Sequence, residues 1–143
     1  MGILTIDELL DDPGDQLPEL LERSDGDSGA MRLLVCVIRP ERLDAVKDTL
    51  SELGVIGGMT ITDVRGFGRQ RGSVEHYRGE PYTIKFLPKV RVEVGVRGDD
   101  VDAVMTAVRR VASSGQVGDG KIFVLDMRTA MRIRTGERGA GAL

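Results

Sequence analysis

The residues best suited to chemistry lie in three strings. Ser113-Ser114-Gly115-Gln116-Val117-Gly118-Asp119-Gly120-Lys121 holds Gly115 and Gly120-Lys121 at G-x-x-x-x-G-K spacing. Ile122 stands where a P-loop needs Ser or Thr, and the segment follows a helical pattern and precedes a strand, so a Walker motif is rejected. The physical idea survives: glycines without a Cβ let backbone N–H groups close on phosphate oxygens, and a lysine adds a point charge. A plain Asp-Gly turn between helix and strand is the alternative. In the second string, Arg132-Ile133-Arg134-Thr135-Gly136-Glu137, an extended backbone would point both guanidiniums the same way, making with Lys121 a cationic cluster for one polyphosphate. A solvated basic strand accounts for it equally.

The third string runs from Phe67 to Leu87 and contains both tyrosines, Tyr77 and Tyr82, with Arg69, Arg71 and Arg78. Phe67 and Phe86 flank it, so four of the five aromatic residues gather in or beside one stretch, as on a surface that partners or modifying enzymes touch. The sole histidine, His76, is the only candidate for a histidine phosphotransferase, and it lies mid-loop with no fixed base nearby, which reads as a solvated side chain. Gly66-Phe67-Gly68 is not a dinucleotide fingerprint, because residue 71 is arginine and not the third glycine.

The elements that must position these strings follow from periodicity. Leu33 to Ile38 is a continuous apolar run that Pro40 ends, and Leu43, Val46, Leu50 and Leu53 then fall at helical spacing with Gly54 as C-terminal cap. A strand is expected at about 59–65. Val90, Val92, Val94 and Val96 alternate strictly with polar residues or glycine, and Asp99 is expected to cap a second helix that carries Val101, Val104, Met105, Val108 and Val111 on one face. Lys121 to Leu125 supplies a fourth strand. The order β-α-β-β-α-β is the α+β, ferredoxin-like arrangement, an antiparallel sheet with both helices on one face. Strands apolar at successive positions require burial of both faces, which argues for self-association.

The chain has 143 residues, 41% hydrophobic and 30% charged, as expected of one globular domain. One cysteine, Cys36, sits in the first apolar run, so it reads as a buried small hydrophobe and provides neither a disulfide framework nor a metal cluster. No run approaches the ~20 apolar residues of a membrane span, and the acidic N-terminus is unlike a secretory signal, so a cytoplasmic location is expected. Residues 1–30 hold nine acids and one arginine, a charge of −8, against +5 for residues 31–143. The first thirty therefore read as a flexible acidic extension, with capping-box spacing at Thr5 and Glu8 and a linker at 24–29, able to fold back on a basic cleft. The mildly basic body suits anionic small ligands, and it lacks the basic patch and aromatic platform of a nucleic-acid binder.

Gly66-Phe67-Gly68-Arg69-Gln70, Tyr77-Arg78-Gly79, Phe86-Leu87-Pro88-Lys89, Gly118-Asp119-Gly120-Lys121-Ile122-Phe123-Val124 and Arg132 to Glu137, in this order and spacing, closely resemble the nitrogen regulatory PII family over residues 31–143. The resemblance implies a non-enzymatic homotrimer with nucleotide sites between subunits, in which 67–88 is the T-loop, 113–121 the B-loop and 128–143 the C-terminal segment. It implies contacts to ATP or ADP from Thr60, Gly68, Gly118, Asp119, Gly120, Lys121, Arg132 and Arg134. Gln70 would hold Mg²⁺ and 2-oxoglutarate, and Lys89 the distal carboxylate of that effector. Tyr82 matches a tyrosine modified by a nucleotidyltransferase, here preceded by Pro81, which restricts the backbone. Glu80 takes the place of a phosphorylated serine and excludes that modification. The implied partners are target proteins such as an ammonium transporter, a transcriptional regulator or a metabolic enzyme. A membrane is involved only through the transporter.

Overall fold

A computed structural model of the chain describes residues 30–68, 73–84 and 86–143; the acidic extension through residue 29, with its helix and linker, and Gln70 lie outside the described residues. Strands β1 (Met31–Ile38), β2 (Thr60–Gly66), β5 (Leu87–Arg97) and β6 (Gly120–Met127) form one antiparallel sheet in the order β2-β5-β1-β6. Helices α1 (Leu43–Leu53) and α2 (Val101–Ala112) join its strands. This is the ferredoxin-like α+β fold expected from the order of the elements.

The packing follows from the two periods. Leu34, Cys36 and Ile38 of β1 share a face with Val90, Val92, Val94 and Val96 of β5, and all are buried against Val46 and Leu50 of α1 and Val104, Val108 and Ala112 of α2. Thr49 is buried among them and accepts a hydrogen bond from Arg110 Nη2 at 3.3 Å. Cys36 is fully buried and its thiol is pushed up to about 11 by that burial, so it stays protonated at neutral pH. Gly54 caps α1 as expected, with φ 67° and its N–H on the Ser51 carbonyl.

Two local readings change. Helix α2 is not capped by the side chain of Asp99. A 3-10 turn over Gly98–Asp100 leads into it, the Val101 N–H bonds the Gly98 carbonyl, and neither carboxylate is needed for that donor. The turn is fixed by the Gly98 N–H donating to the Ala30 carbonyl at 2.6 Å. The long loop also contains a hairpin, β3 (Ser73–Tyr77) and β4 (Glu80–Ile84), whose two-residue turn has φ 51° at Arg78 and 82° at Gly79. Positive φ at both positions suits a type I′ turn, but Arg in place of Asn or Asp hides the signal in the sequence.

The second face of the sheet carries Leu33, Val35, Val37, Phe123 and Leu125. Among the described residues no helix covers it, and Phe123 is 50% and Leu125 45% exposed. The C-terminal residues reach only its far end, where Leu143 lies against Gly95 and Gly57 with no space for a Cβ at either glycine. The ends of the sheet thus differ: Ile38 pairs Gly120 at one, while Met31 pairs Arg97 and Met127 at the other.

Candidate functional site

The 113–120 loop joins α2 to β6 at the Ile38 end of the sheet, and Asp119 is its hub. One Asp119 oxygen accepts from the Ser114 N–H at 2.8 Å and the Gly115 N–H at 2.9 Å. The other accepts from the Ser114 hydroxyl at 2.5 Å and from Arg39 Nε at 3.2 Å. These bonds, the Ser114 hydroxyl foremost, then the Ser114 N–H, hold the carboxyl far below the usual carboxylate range, against a smaller opposing effect of partial burial. Arg39 also donates from Nη2 to the Val117 carbonyl at 2.8 Å, and Lys89 Nζ donates to the Gly118 carbonyl at 2.6 Å. Three successive residues of the loop are therefore tied to the ends of β1 and β5.

Gly120 shows why the loop needs glycine. Its φ is +103°, and a Cβ built on it would overlap the Val37 carbonyl oxygen of the central strand. Lys121 follows, exposed, opposite Val37. A cleft of about 570 Å³ opens between α2 and this corner, walled by Arg109, Asp119, Gly120 and Lys121 over a floor that includes Ile38 and Ile122. Its volume is that of a small-ligand site. Gly68 lies two residues past β2, beside an edge-to-face pair of Phe67 and Phe86 with ring centroids 6.2 Å apart, which closes the neck of the long loop.

The structure sorts the residues named from sequence into two groups. Gly118, Asp119, Gly120, Lys121 and Lys89 meet at the Ile38 end, whereas Gly68 follows β2 at the same end but on the opposite edge of the sheet. Thr60 begins β2, exposed and paired with Glu93 in mid-sheet. Arg132 and Arg134 are not on an extended segment. Residues 133–135 form a turn, closed by the Gly136 N–H on the Arg132 carbonyl, because Arg132 is ion-paired to Glu137 at 3.1 Å and donates to the Gly141 carbonyl. That turn is stitched to the far end, where Arg97 Nη2 donates to the Ala140 carbonyl at 3.4 Å. The seven steps of β1 between the ends span roughly 23 Å. Within one chain, Lys121 and the two arginines do not form the cluster expected from sequence. Tyr82 lies in β4, opposite Glu75.

Sequence reasoning missed Arg39. The signal was available in the ladder: once Ile38 pairs Gly120, an antiparallel register sets residue 39 across from residue 119. Among the described residues no group of three or more His, Cys, Asp or Glu could hold a metal.

Known proteins match this architecture. Residues 31–137 match the family model described as Nitrogen regulatory protein P-II. The chain is 46% identical over 113 residues to nitrogen regulatory protein GlnK of Escherichia coli strain K12, covering 79% of this chain and all of the relative. It is 47% identical, with the same coverage, to nitrogen regulatory protein P-II of Bradyrhizobium diazoefficiens. Among solved structures, Arabidopsis thaliana PII bound to citrate superposes with a TM-score of 0.63 at 36% identity, over 78% of this chain and 87% of that one. With a family model spanning most of its length and relatives matched from end to end, the chain belongs to the nitrogen regulatory protein P-II family.

Proposed function

We propose that the protein is a homotrimeric, non-enzymatic sensor of ATP or ADP and 2-oxoglutarate that regulates nitrogen metabolism by presenting its loop 67–88 to target proteins. The observation that carries this reading is the 2.6 Å hydrogen bond from Lys89 Nζ to the Gly118 carbonyl. The lysine that would answer the effector's carboxylate is in direct contact with the loop that would hold phosphate, so occupancy of one site bears on the other. Two further features support it. The two groups of nucleotide residues stand at opposite ends of the sheet within one chain, as a site shared between copies requires, and Ile133, between the two arginines, is 97% exposed. Citrate on the Arabidopsis relative is a ligand of the same carboxylate class as 2-oxoglutarate.

Gln70, whose amide oxygen is a neutral hard donor, would help to hold a Mg²⁺ ion that neutralises phosphate charge. Because Gln70 belongs to the loop 67–88, effector binding biases that loop and hence its choice of an ammonium transporter, transcriptional regulator or metabolic enzyme as partner. Tyr82 is the residue that a nucleotidyltransferase would modify. The sensing domain spans residues 31–143, and the protein works in the cytoplasm.

Calorimetry tests the reading. Charge-assisted contacts are worth about 1.5–3 kcal/mol, so Lys121→Ala is expected to weaken ATP binding roughly ten- to hundredfold. Gln70→Ala should retain ATP but lose 2-oxoglutarate. Parental ATP affinity in Lys121→Ala, or undiminished effector binding in Gln70→Ala, would refute the assignment.

A pH dependence follows as well. Partial burial and then the Arg39 charge lower Lys89 below the usual 10.5, with Glu41 and Asp119 opposing. The ammonium is the form that attracts a carboxylate. Effector affinity thus falls as pH rises through the lowered pKa. Lys89→Arg, charged throughout, is expected to flatten that fall, and an identical alkaline profile for both proteins would exclude Lys89 as the titrating group.

A further inference from the structure

An anionic side chain in a loop that binds phosphate is electrostatically out of place, and the geometry of Asp119 accounts for it. A carboxylate has about four lone-pair sites. Those of Asp119 are met by the Ser114 N–H, the Ser114 hydroxyl, the Gly115 N–H and Arg39 Nε. None remains for a ribose hydroxyl, a metal ion or a water bridge. Its side chain is 21% exposed and that of Arg39 19%, so the pair is screened far less than a surface ion pair.

We propose that Arg39 is a positioning residue of the nucleotide loop, which acts through Asp119 and the Val117 carbonyl and touches no ligand itself. This inference rests on the reading of 113–121 as the phosphate site. Arg39 does two things there. It cancels the charge of Asp119, so that incoming phosphates meet a neutral hub. With its second nitrogen it fixes the peptide at Val117, immediately before the glycines whose N–H groups receive the ligand. Preorganised in this way, the loop gives up little conformational freedom on binding. Asp119 is accordingly a shaping residue and not a nucleotide contact.

The consequence is a change of sign that a merely structural role would not produce. Arg39→Met leaves Asp119 unpaired beside the phosphates and is expected to weaken ATP binding about tenfold or more. Adding Asp119→Asn to that variant removes the stranded charge and should recover affinity, up to that of Asp119→Asn alone. Arg39→Lys keeps the charge but loses the fork, and should fall between parent and Arg39→Met. ATP titrations of these four variants, the parent and Lys121→Ala, each with its thermal midpoint, decide the matter. Should Arg39→Met fail to fold, Ser114→Ala, which removes a donor from the other side of Asp119, is expected to weaken ATP on its own. Recovery in the double variant carries the proposal. Parental affinity in Arg39→Met, or a double variant weaker than either single one, overturns it while leaving the phosphate site in place if Lys121→Ala still loses ATP. Unchanged binding in Lys121→Ala removes the site and the inference together.

Discussion

Gly120→Ala is expected to cost the protein both stability and nucleotide binding. An L-residue at φ +103° is strained by roughly 1–2 kcal/mol before any neighbour is considered. Here the added methyl also overlaps the carbonyl oxygen of Val37. Val37 cannot yield, because β1 is hydrogen-bonded on both sides, to β5 and β6. The strand must shift or β6 must peel away at its first pair, and a total of about 3 kcal/mol or more is expected, a fall in thermal midpoint on the order of 10 °C. Gly115 provides the control. Its φ is +82° but nothing lies within 4 Å of its Cβ position, so Gly115→Ala should show only the smaller backbone cost. Equal midpoints for the two variants would mean that the Val37 contact is irrelevant and that left-handed backbone alone explains both.

The second large effect concerns assembly. Phe123 and Leu125 stand half exposed on the uncovered face of the sheet beside Leu33 and Val35. Under the trimeric reading, Phe123→Asp buries a charge against a neighbouring copy, which is costly unless paired. The expected outcome is a chromatographic shift from three times the 15.5 kDa chain mass to the mass of one chain. ATP affinity should fall with it, at least a hundredfold on the scale of losing two arginine contacts at about 1.5–3 kcal/mol each. No residue of the glycine loop is altered, yet the site is lost, because Arg132 and Arg134 stand at the opposite end of the sheet within one chain. A single-chain form that binds ATP as the parent does would end the argument for a shared site.

Much of this fold is written in local patterns. The alternation of Val90 to Val96 and the helical spacing of Leu43, Val46 and Leu50 name their elements directly, since burial on one face leaves no other arrangement. What escaped is set by contacts distant in sequence. The entry to α2 depends on Ala30, nearly seventy residues earlier, and the role of Arg39 depends on a loop 80 positions away. The hairpin escaped for a local reason, an arginine in a conformation usually given to Asn or Gly. The candidate site was legible as strings of residues but not as a constellation. Composition can mark Lys121, Arg132 and Arg134 as cations for phosphate, whereas only the register of the strands reveals that one chain keeps them apart.

The hydrogen bond between Gly98 and the Ala30 carbonyl has a practical side. It fixes where the chain enters the domain, at the Met31 end of β1, while the Arg39-Asp119 corner and the neck at Phe67 and Phe86 lie at the opposite end. Tethering the domain to a sensor surface at Ala30 would therefore leave the glycine loop and the hairpin at the end away from that surface. Ligands and captured targets could then be compared on one immobilised sample, with the attachment point remote from what is being measured.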